Sequence, residues 1–228
     1  ERLIMYVVLK VKRKIKNTLG EIVADAGLTQ LRLAETEKYA HVTYFFNGGE
    51  EMPFTNEQRQ MINSPNVATY DLKPEMSAYE LTQTLCDAIE SNCYDLIICN
   101  YANPDMVGHT GFEQAANKAM QALDTCLNKC MTTLLKHDGE ALITADHGNI
   151  ECMFDETNNQ PHTAHTSNLV PVIYVGSKPL KFTQKKSSIV DIAPTILYLF
   201  IFTGATREEL EPIKTLSDIF VLDFFTPS

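Results

Sequence analysis

Three short segments rich in aspartate and histidine carry side chains that could bind a metal ion. They are NPDMVGHTG at residues 103–111, TADHGN at residues 144–149 and PHTAHT at residues 161–166. Their candidate ligands are Asp105, His109, Asp146, His147, His162 and His165. Carboxylate and imidazole groups together form a ligand set that suits zinc or manganese. The residue types therefore indicate metal chemistry, provided that the fold brings the three segments together.

The spacing within each segment decides whether its ligands can share a metal. Asp105 and His109 are four residues apart, so one helical turn places both on the same face. Asp146 and His147 are adjacent and would point to opposite faces of a straight strand. They can meet at one site only if the chain bends after Ala145, and Gly148 favours a bend.

The elements around the first two segments predict that they converge. The apolar run YDLIICN at residues 94–100 is typical of a buried strand, and EALITA at residues 140–145 predicts a second strand. Apolar residues at helical spacing from Phe112 to Leu134 predict a helix between them. Such a β-α-β unit predicts two parallel strands with a right-handed crossover. Ligands bind beyond the carboxyl ends of such strands, which is where both segments lie.

The remaining elements complete an α/β pattern. A short helix is predicted after Asn17 or Thr18, ending at Gly27, and a capping-box pattern at residues 77–80 predicts a helix to about Glu90. Alternating apolar residues at 31–33 and 42–46 predict short strands, and residues 170–175 predict another. A last helix is predicted at residues 191–200. The expected fold is α/β, a mostly parallel sheet with helices on both faces.

Each metal-binding segment also has a simpler explanation when it is taken alone. An Asp-His-Gly sequence often forms a turn in which the aspartate bonds its own backbone. Asp105 could cap a helix, and HTAHT could be a solvated loop. However, the three segments together hold four of the six histidines of the chain. A shared metal site is therefore the stronger hypothesis.

Composition excludes several classes of function. The formal net charge is -10, which argues against a nucleic acid as partner because phosphate backbones need clustered lysine and arginine. An anionic substrate is still allowed where bound metal ions supply positive charge. The six cysteines lack a C-x-x-C pair and predict free thiols in a reducing compartment. The apolar runs at residues 3–9 and 196–202 are too short to span a membrane. A cytoplasmic protein with no membrane partner is expected.

Longer stretches of the sequence carry a family resemblance. The segments NPDMVGHTG, ITADHGN and PHTAHT, with AETEKYAHVT at residues 34–43, FFNGG at 45–49 and SPNVATYDLKPEM at 64–76, resemble the cofactor-independent phosphoglycerate mutases. The metal motifs also resemble the wider alkaline phosphatase superfamily. The resemblance covers residues 17–200 and implies the C-terminal part of an alkaline-phosphatase-like metalloenzyme domain, which is expected to be incomplete. Residues 1–16 form a divergent N-terminal extension and residues 201–228 a divergent tail.

The resemblance implies roles for individual residues and two manganese ions, with zinc also allowed by the ligands. The implied ligands are Asp105, His109 and His165 for one ion, and Asp146 and His147 for the other. Lys38 resembles the active-site lysine that meets the phosphoryl group or the leaving oxygen, so it is both a catalytic and a substrate-binding candidate. Judged without the resemblance, Lys38 would be a solvated lysine beside two glutamates. His162 is expected either to lie behind the ligands and support them or to belong to the loop, because His165 fits the family position better.

The implied function is the interconversion of 3-phosphoglycerate and 2-phosphoglycerate in glycolysis and gluconeogenesis, by a monomer that needs no 2,3-bisphosphoglycerate. The family's serine nucleophile, its early aspartate and its substrate-binding arginines have no match in this sequence. The chain alone is therefore expected to show no mutase turnover. Two alternatives stay open: a related metal-dependent phosphatase, phosphopentomutase or sulfatase, and a non-catalytic fragment that retains the metal-binding fold.

Overall fold

The computed structural model describes residues 15–178, 180 and 187–203, which form seven strands and six α-helices. The strands are β1 Gln30–Glu35, β2 Glu57–Ile62, β3 Leu96–Asn100, β4 Ala141–Thr144, β5 Phe154–Asp155, β6 Gln160–Pro161 and β7 Val172–Val175. The helices are α1 Leu19–Asp25, α2 Thr36–Ala40, α3 Ala78–Glu90, α4 Asn103–Gly108, α5 Glu113–Lys136 and α6 Ile192–Thr203. A π-helix, His41–Phe45, follows α2, and 3-10 turns lie at Tyr70–Leu72 and Ile189–Asp191.

The main sheet is parallel, with the strand order β2-β1-β3. Strands β4 and β7 form a separate antiparallel pair, and β5 and β6 form a small hairpin. The prediction that β3 and β4 share one parallel sheet is therefore wrong for the described residues, because β3 pairs with β1 and β4 pairs with β7. An apolar run identifies a strand, but its partner depends on contacts distant in sequence.

Helices cover both faces of the main sheet, as predicted. Leu96 and Ile98 of β3 pack with α1 and α6 on one face. Ile97 and Cys99 pack with α3 and α5 on the other face. Successive side chains of a strand point to opposite faces, so this one apolar strand contributes to two cores.

The segment at residues 42–46 was predicted as a strand and forms a helix. Val42 is buried, Phe46 packs against the core of α1 and α6, and Thr43 donates from Oγ1 to the carbonyl of Tyr39 at 2.7 Å. Val42 and Phe46 are four residues apart, so a helix that continues α2 buries Val42 and partly buries Phe46. Over five residues the alternation cannot separate this arrangement from a strand.

Two predicted helix starts differ in how they are capped. Thr18 caps α1, since its side chain accepts a hydrogen bond from the backbone of Glu21 at 3.3 Å. The helix predicted after residue 77 is present, but Ser77 does not cap it. The Ser77 hydroxyl instead donates to the carbonyl of Asn63 at 2.7 Å. This bond ties the start of α3 to the segment that follows β2.

The carboxyl ends of β1 and β3 lie side by side and lead into the candidate site. The chain leaves β1 into α2, which carries Lys38, and leaves β3 into α4, which carries Asp105. None of the helices in the described ranges is long and apolar enough to cross a membrane. Residues 1–14 of the predicted N-terminal extension and residues 204–228 of the predicted tail lie outside the described residues.

Candidate metal centre

One oxygen of Asp105 lies at the centre of the site. Asp105 Oδ1 is 3.1 Å from Nε2 of His109 and 3.2 Å from Nε2 of His165. The two histidine nitrogens are 3.0 Å from each other. His109 lies just after α4, so the four-residue spacing places it over Asp105, while His165 comes from a loop 56 residues further along the chain. The three atoms form a compact group that could hold one metal ion.

The orientation of His109 shows that this group needs a cation or a proton. His109 Nδ1 is 2.7 Å from the carbonyl oxygen of Thr163 and must donate its hydrogen there. In the neutral ring Nε2 is then an acceptor, and it faces the carboxylate of Asp105. Metal-bound histidines commonly use their second nitrogen in this way. The donor set therefore fits a divalent ion.

Asp146 and His147 lie beside this group. His147 Nε2 is 3.5 Å from Oδ1 of Asp146 and 4.0 Å from Oδ1 of Asp105. The His147 ring stacks on that of His165, with centroids 3.6 Å apart. The chain bends at residues 146–147, as the sequence predicted. The bend is why two adjacent side chains can face the same region.

Lys38 is buried at the other oxygen of Asp105. Its side chain is only 7% exposed, and Nζ donates to Asp105 Oδ2. The alternative of a solvated lysine is therefore wrong. Lys38 and the two histidines use different oxygens of the same carboxylate, so the lysine charge does not occupy the position that the histidines share.

Asn149 completes the surroundings of Asp105 and was not selected from the sequence as a site residue. Asn149 Nδ2 donates to Asp105 Oδ1 at 2.8 Å and lies 3.3 Å from the backbone oxygen of Asp105. The Asn149 amide packs directly on Gly108, where an added Cβ would lie 2.5 Å from Asn149 Oδ1. In the sequence, only its position directly after the Asp-His-Gly segment indicates that Asn149 could belong to the site.

The electrostatics of the site favour an ionised Asp105. Burial opposes the charge, but hydrogen bonds from Lys38 and Asn149 outweigh it and lower the pKa of Asp105 to about 2. Burial and the charge of Lys38 lower the pKa of His41, while the carboxylates of Asp146 and Asp105 oppose this change. His41 is thus an additional neighbour of the site that the sequence did not indicate.

The structure brings together the candidates Lys38, Asp105, His109, Asp146, His147 and His165. His162 lies at the hairpin of β5 and β6 instead, where its backbone donates to the carbonyl of Met153 at 2.9 Å. The expected convergence thus occurs although β3 and β4 belong to different sheets. The parallel strands β1 and β3 position Lys38, Asp105 and His109, and the loops after β4 and β6 supply Asp146, His147 and His165.

Comparison with known proteins identifies relatives of the chain. Residues 5–203 match the family model of the Metalloenzyme superfamily. The chain is 61% identical over 186 residues to a 2,3-bisphosphoglycerate-independent phosphoglycerate mutase of Coxiella burnetii, covering 82% of this chain and 36% of that protein. Similarly named proteins of Thiobacillus denitrificans and Legionella pneumophila are 59% and 58% identical, over 81% and 83% of this chain and 36% and 37% of theirs. The chain thus spans a little over a third of these relatives.

A solved structure supports the same relationship. The phosphoglycerate mutase of Leishmania mexicana, determined at low cobalt concentration, matches with a TM-score of 0.71 and 27% identity. The match covers 82% of this chain and 36% of the Leishmania chain. The resemblance predicted from the sequence motifs, and the α/β fold that it implied, are both confirmed.

Proposed function

Because the chain belongs to the Metalloenzyme superfamily, we propose that it forms the metal-binding part of a phosphoglycerate mutase that needs no 2,3-bisphosphoglycerate. The reaction is the interconversion of 3-phosphoglycerate and 2-phosphoglycerate by phosphoryl transfer. The names of the relatives support this substrate class. The observation that carries the proposal is the group of three ligand atoms from Asp105, His109 and His165, which lie 3.0–3.2 Å apart.

We assign Asp105, His109 and His165 to one metal ion and Asp146 and His147 to a second. Bound divalent ions would offset the negative charge of a transferring phosphoryl group. Manganese is the proposed ion, and the ligand types also suit zinc. The three-ligand group should bind its ion more tightly than the two-ligand group.

Lys38 is proposed to stabilise the ionised carboxylate of Asp105 and to bind the phosphoryl group. Its Nζ pairs with Asp105 Oδ2 at the edge of the sheet. A buried ammonium is a strong partner for a phosphoryl oxygen because little water competes with it. Lys38 reaches the site from the helix after β1, and Asp105 reaches it from the helix after β3.

Mutase turnover by this chain alone is not expected, because no residue of the sequence matches the serine on which the family's phosphoryl intermediate forms. A slow, chelator-sensitive phosphatase activity is the most that the metal site could support. A monomeric state and a cytoplasmic location also stay predictions.

The test is a manganese titration of the full chain. Binding is measured as the loss of the free Mn²⁺ signal in electron paramagnetic resonance. His165→Ala removes one ligand, and His137→Ala, an exposed histidine at the end of α5, is the matched control. We expect tight binding in the wild type and in His137→Ala. Mutation of a residue that only orients a ligand lowers metal affinity by roughly 10-fold to 100-fold. Because His165→Ala removes a ligand itself, its manganese affinity should fall by more than this.

Equal affinity in the wild type and His165→Ala would refute the assignment of the first metal. A coupled mutase assay on the same samples tests the other half of the proposal. Robust turnover by the wild type would mean that a residue of this chain replaces the family's serine.

A further inference from the structure

Glu151 links the two loops that bring histidines to the metal centre. One loop follows β4 and carries Asp146 and His147. The other follows β6 and carries His165. A backbone bridge joins the two loops at Gly148 and Thr166, where the Thr166 backbone donates to the Gly148 carbonyl at 2.8 Å.

The carboxylate of Glu151 uses its two oxygens on opposite sides. Oε1 accepts hydrogen bonds from the hydroxyl of Thr166 and from Nδ2 of Asn168, the latter at 2.9 Å. Oε2 accepts from the backbone of Asn149 at 2.6 Å. Each of these partners donates to Glu151, and hydrogen bonds of this kind favour the ionised carboxylate. These donors outweigh the opposing effect of burial and lower the pKa of Glu151 to about 2.

Each side of this contact leads directly to a proposed ligand. Asn149, whose backbone is held by Oε2, directs its side chain onto Asp105 Oδ1. Thr166, held by Oε1, is the residue after His165. Glu151 is therefore placed to set the position of His165 relative to Asp105, although it contacts neither of them.

The packing at Gly148 shows that this contact leaves no spare room. A Cβ added at residue 148 would lie well inside van der Waals contact with both the Thr166 hydroxyl and the Glu151 carboxylate. The glycine thus lets the two side chains meet over the backbone.

We propose that Glu151 is a positioning residue that fastens the loop bearing His165 to the loop bearing Asp146 and His147, and so fixes the geometry of the metal site. The proposal rests on the proposed metal site for its effect on affinity. The loop contact itself involves none of the proposed ligands and can be measured separately.

The experiment compares the full chain with Glu151→Gln, Glu151→Ala and the control Glu156→Gln. Glutamine keeps the size of the side chain but has one oxygen, so it cannot accept from both sides. Glu156→Gln removes an exposed carboxylate from the following turn. Manganese affinity is measured by paramagnetic resonance, and amide hydrogen exchange of residues 160–168 is measured without metal.

We expect Glu151→Gln and Glu151→Ala to weaken manganese binding by about 10-fold or more, the scale found for groups that orient ligands. Exchange at residues 160–168 should rise in both variants, while Glu156→Gln stays within about twofold of the wild type. If Glu151→Gln matches the wild type in affinity and exchange, the carboxylate does not position the loops. The proposal would also be overturned if Glu151→Gln behaved as the wild type while Glu151→Ala lost affinity and exchanged faster. Glu151 would then contribute only packing.

The two measurements separate this inference from the proposed function. A wild-type chain that binds no manganese refutes the metal assignment, and exchange alone then decides the role of Glu151. Faster exchange in both variants would support the loop contact. Unchanged exchange would overturn it.

Discussion

The buried carboxylate of Glu35 should make the stability of the protein depend on pH. Glu35 ends β1 with no exposed surface, and its Oε2 accepts a hydrogen bond from the Ser64 hydroxyl at 3.1 Å. Its Oε1 is buried without a hydrogen-bond partner among the described residues. Burial raises the pKa of Glu35 from 4.5 to about 7, and the bond from Ser64 only partly opposes this.

The difference in proton binding between the two states determines whether stability rises or falls with pH. Between pH 4.5 and about 7 the folded state keeps a proton that the unfolded state has released. The stabilising contribution of protonated Glu35 is therefore complete below the unfolded value and is lost as the pH rises through the folded value. At about 1.4 kcal/mol per pH unit, the loss amounts to roughly 3 kcal/mol.

Glu35→Gln removes the titration while keeping the shape of the side chain. Urea unfolding between pH 5 and pH 8 should show the variant gaining up to roughly 3 kcal/mol relative to the wild type as the pH rises. Glu90→Gln, at the exposed end of α3, is the control and should follow the wild type at every pH. Parallel stability profiles for the wild type and Glu35→Gln would refute the reasoning, because they would mean that Glu35 titrates alike in both states.

Two further substitutions test how the site is held. Tyr70→Phe removes a hydroxyl that donates to Glu37 Oε1 at 2.7 Å, and urea unfolding should show a loss of about 1 kcal/mol; an unchanged midpoint would mean that water replaces this bond. Gly108→Ala places a Cβ 2.5 Å from Asn149 Oδ1 and should displace that amide from Asp105. Manganese affinity should then fall by about 10-fold, and unaltered binding would contradict the role given to Asn149.

The sequence predicted individual elements better than their partners. Residues 94–100 and 140–145 contain strands, and the apolar spacing from Phe112 to Leu134 marks α5. Neither run carries information about which strand lies beside it, so the pairing of β4 with β7 could not be foreseen. The assignment at residues 42–46 was wrong because a five-residue pattern fits a strand and a helix equally well.

The candidate site shows the same division between local and long-range information. The spacing of Asp105 and His109 predicted that they would meet, because one helical turn suffices. The burial of Lys38 depends on the neighbouring carboxyl ends of β1 and β3, which no local pattern specifies. No local pattern indicates a role for Glu151. Its partner Thr166 is 15 residues further along the chain, and the two meet only when their loops are folded together.

The contact between His109 and His165 has a thermodynamic consequence for the whole chain. An ion held by both would act as a reversible cross-link between residues that are 56 positions apart in the sequence. The two histidines meet only in the folded chain, so the ion would bind the folded state in preference to the unfolded state and would stabilise it. The cross-link spans α5 and β4, whereas the strands of the main sheet all precede it in the chain. Withdrawal of the ion would therefore act first on the segment between His109 and His165, and its effect would reach the main sheet through α5, which packs on Ile97 and Cys99.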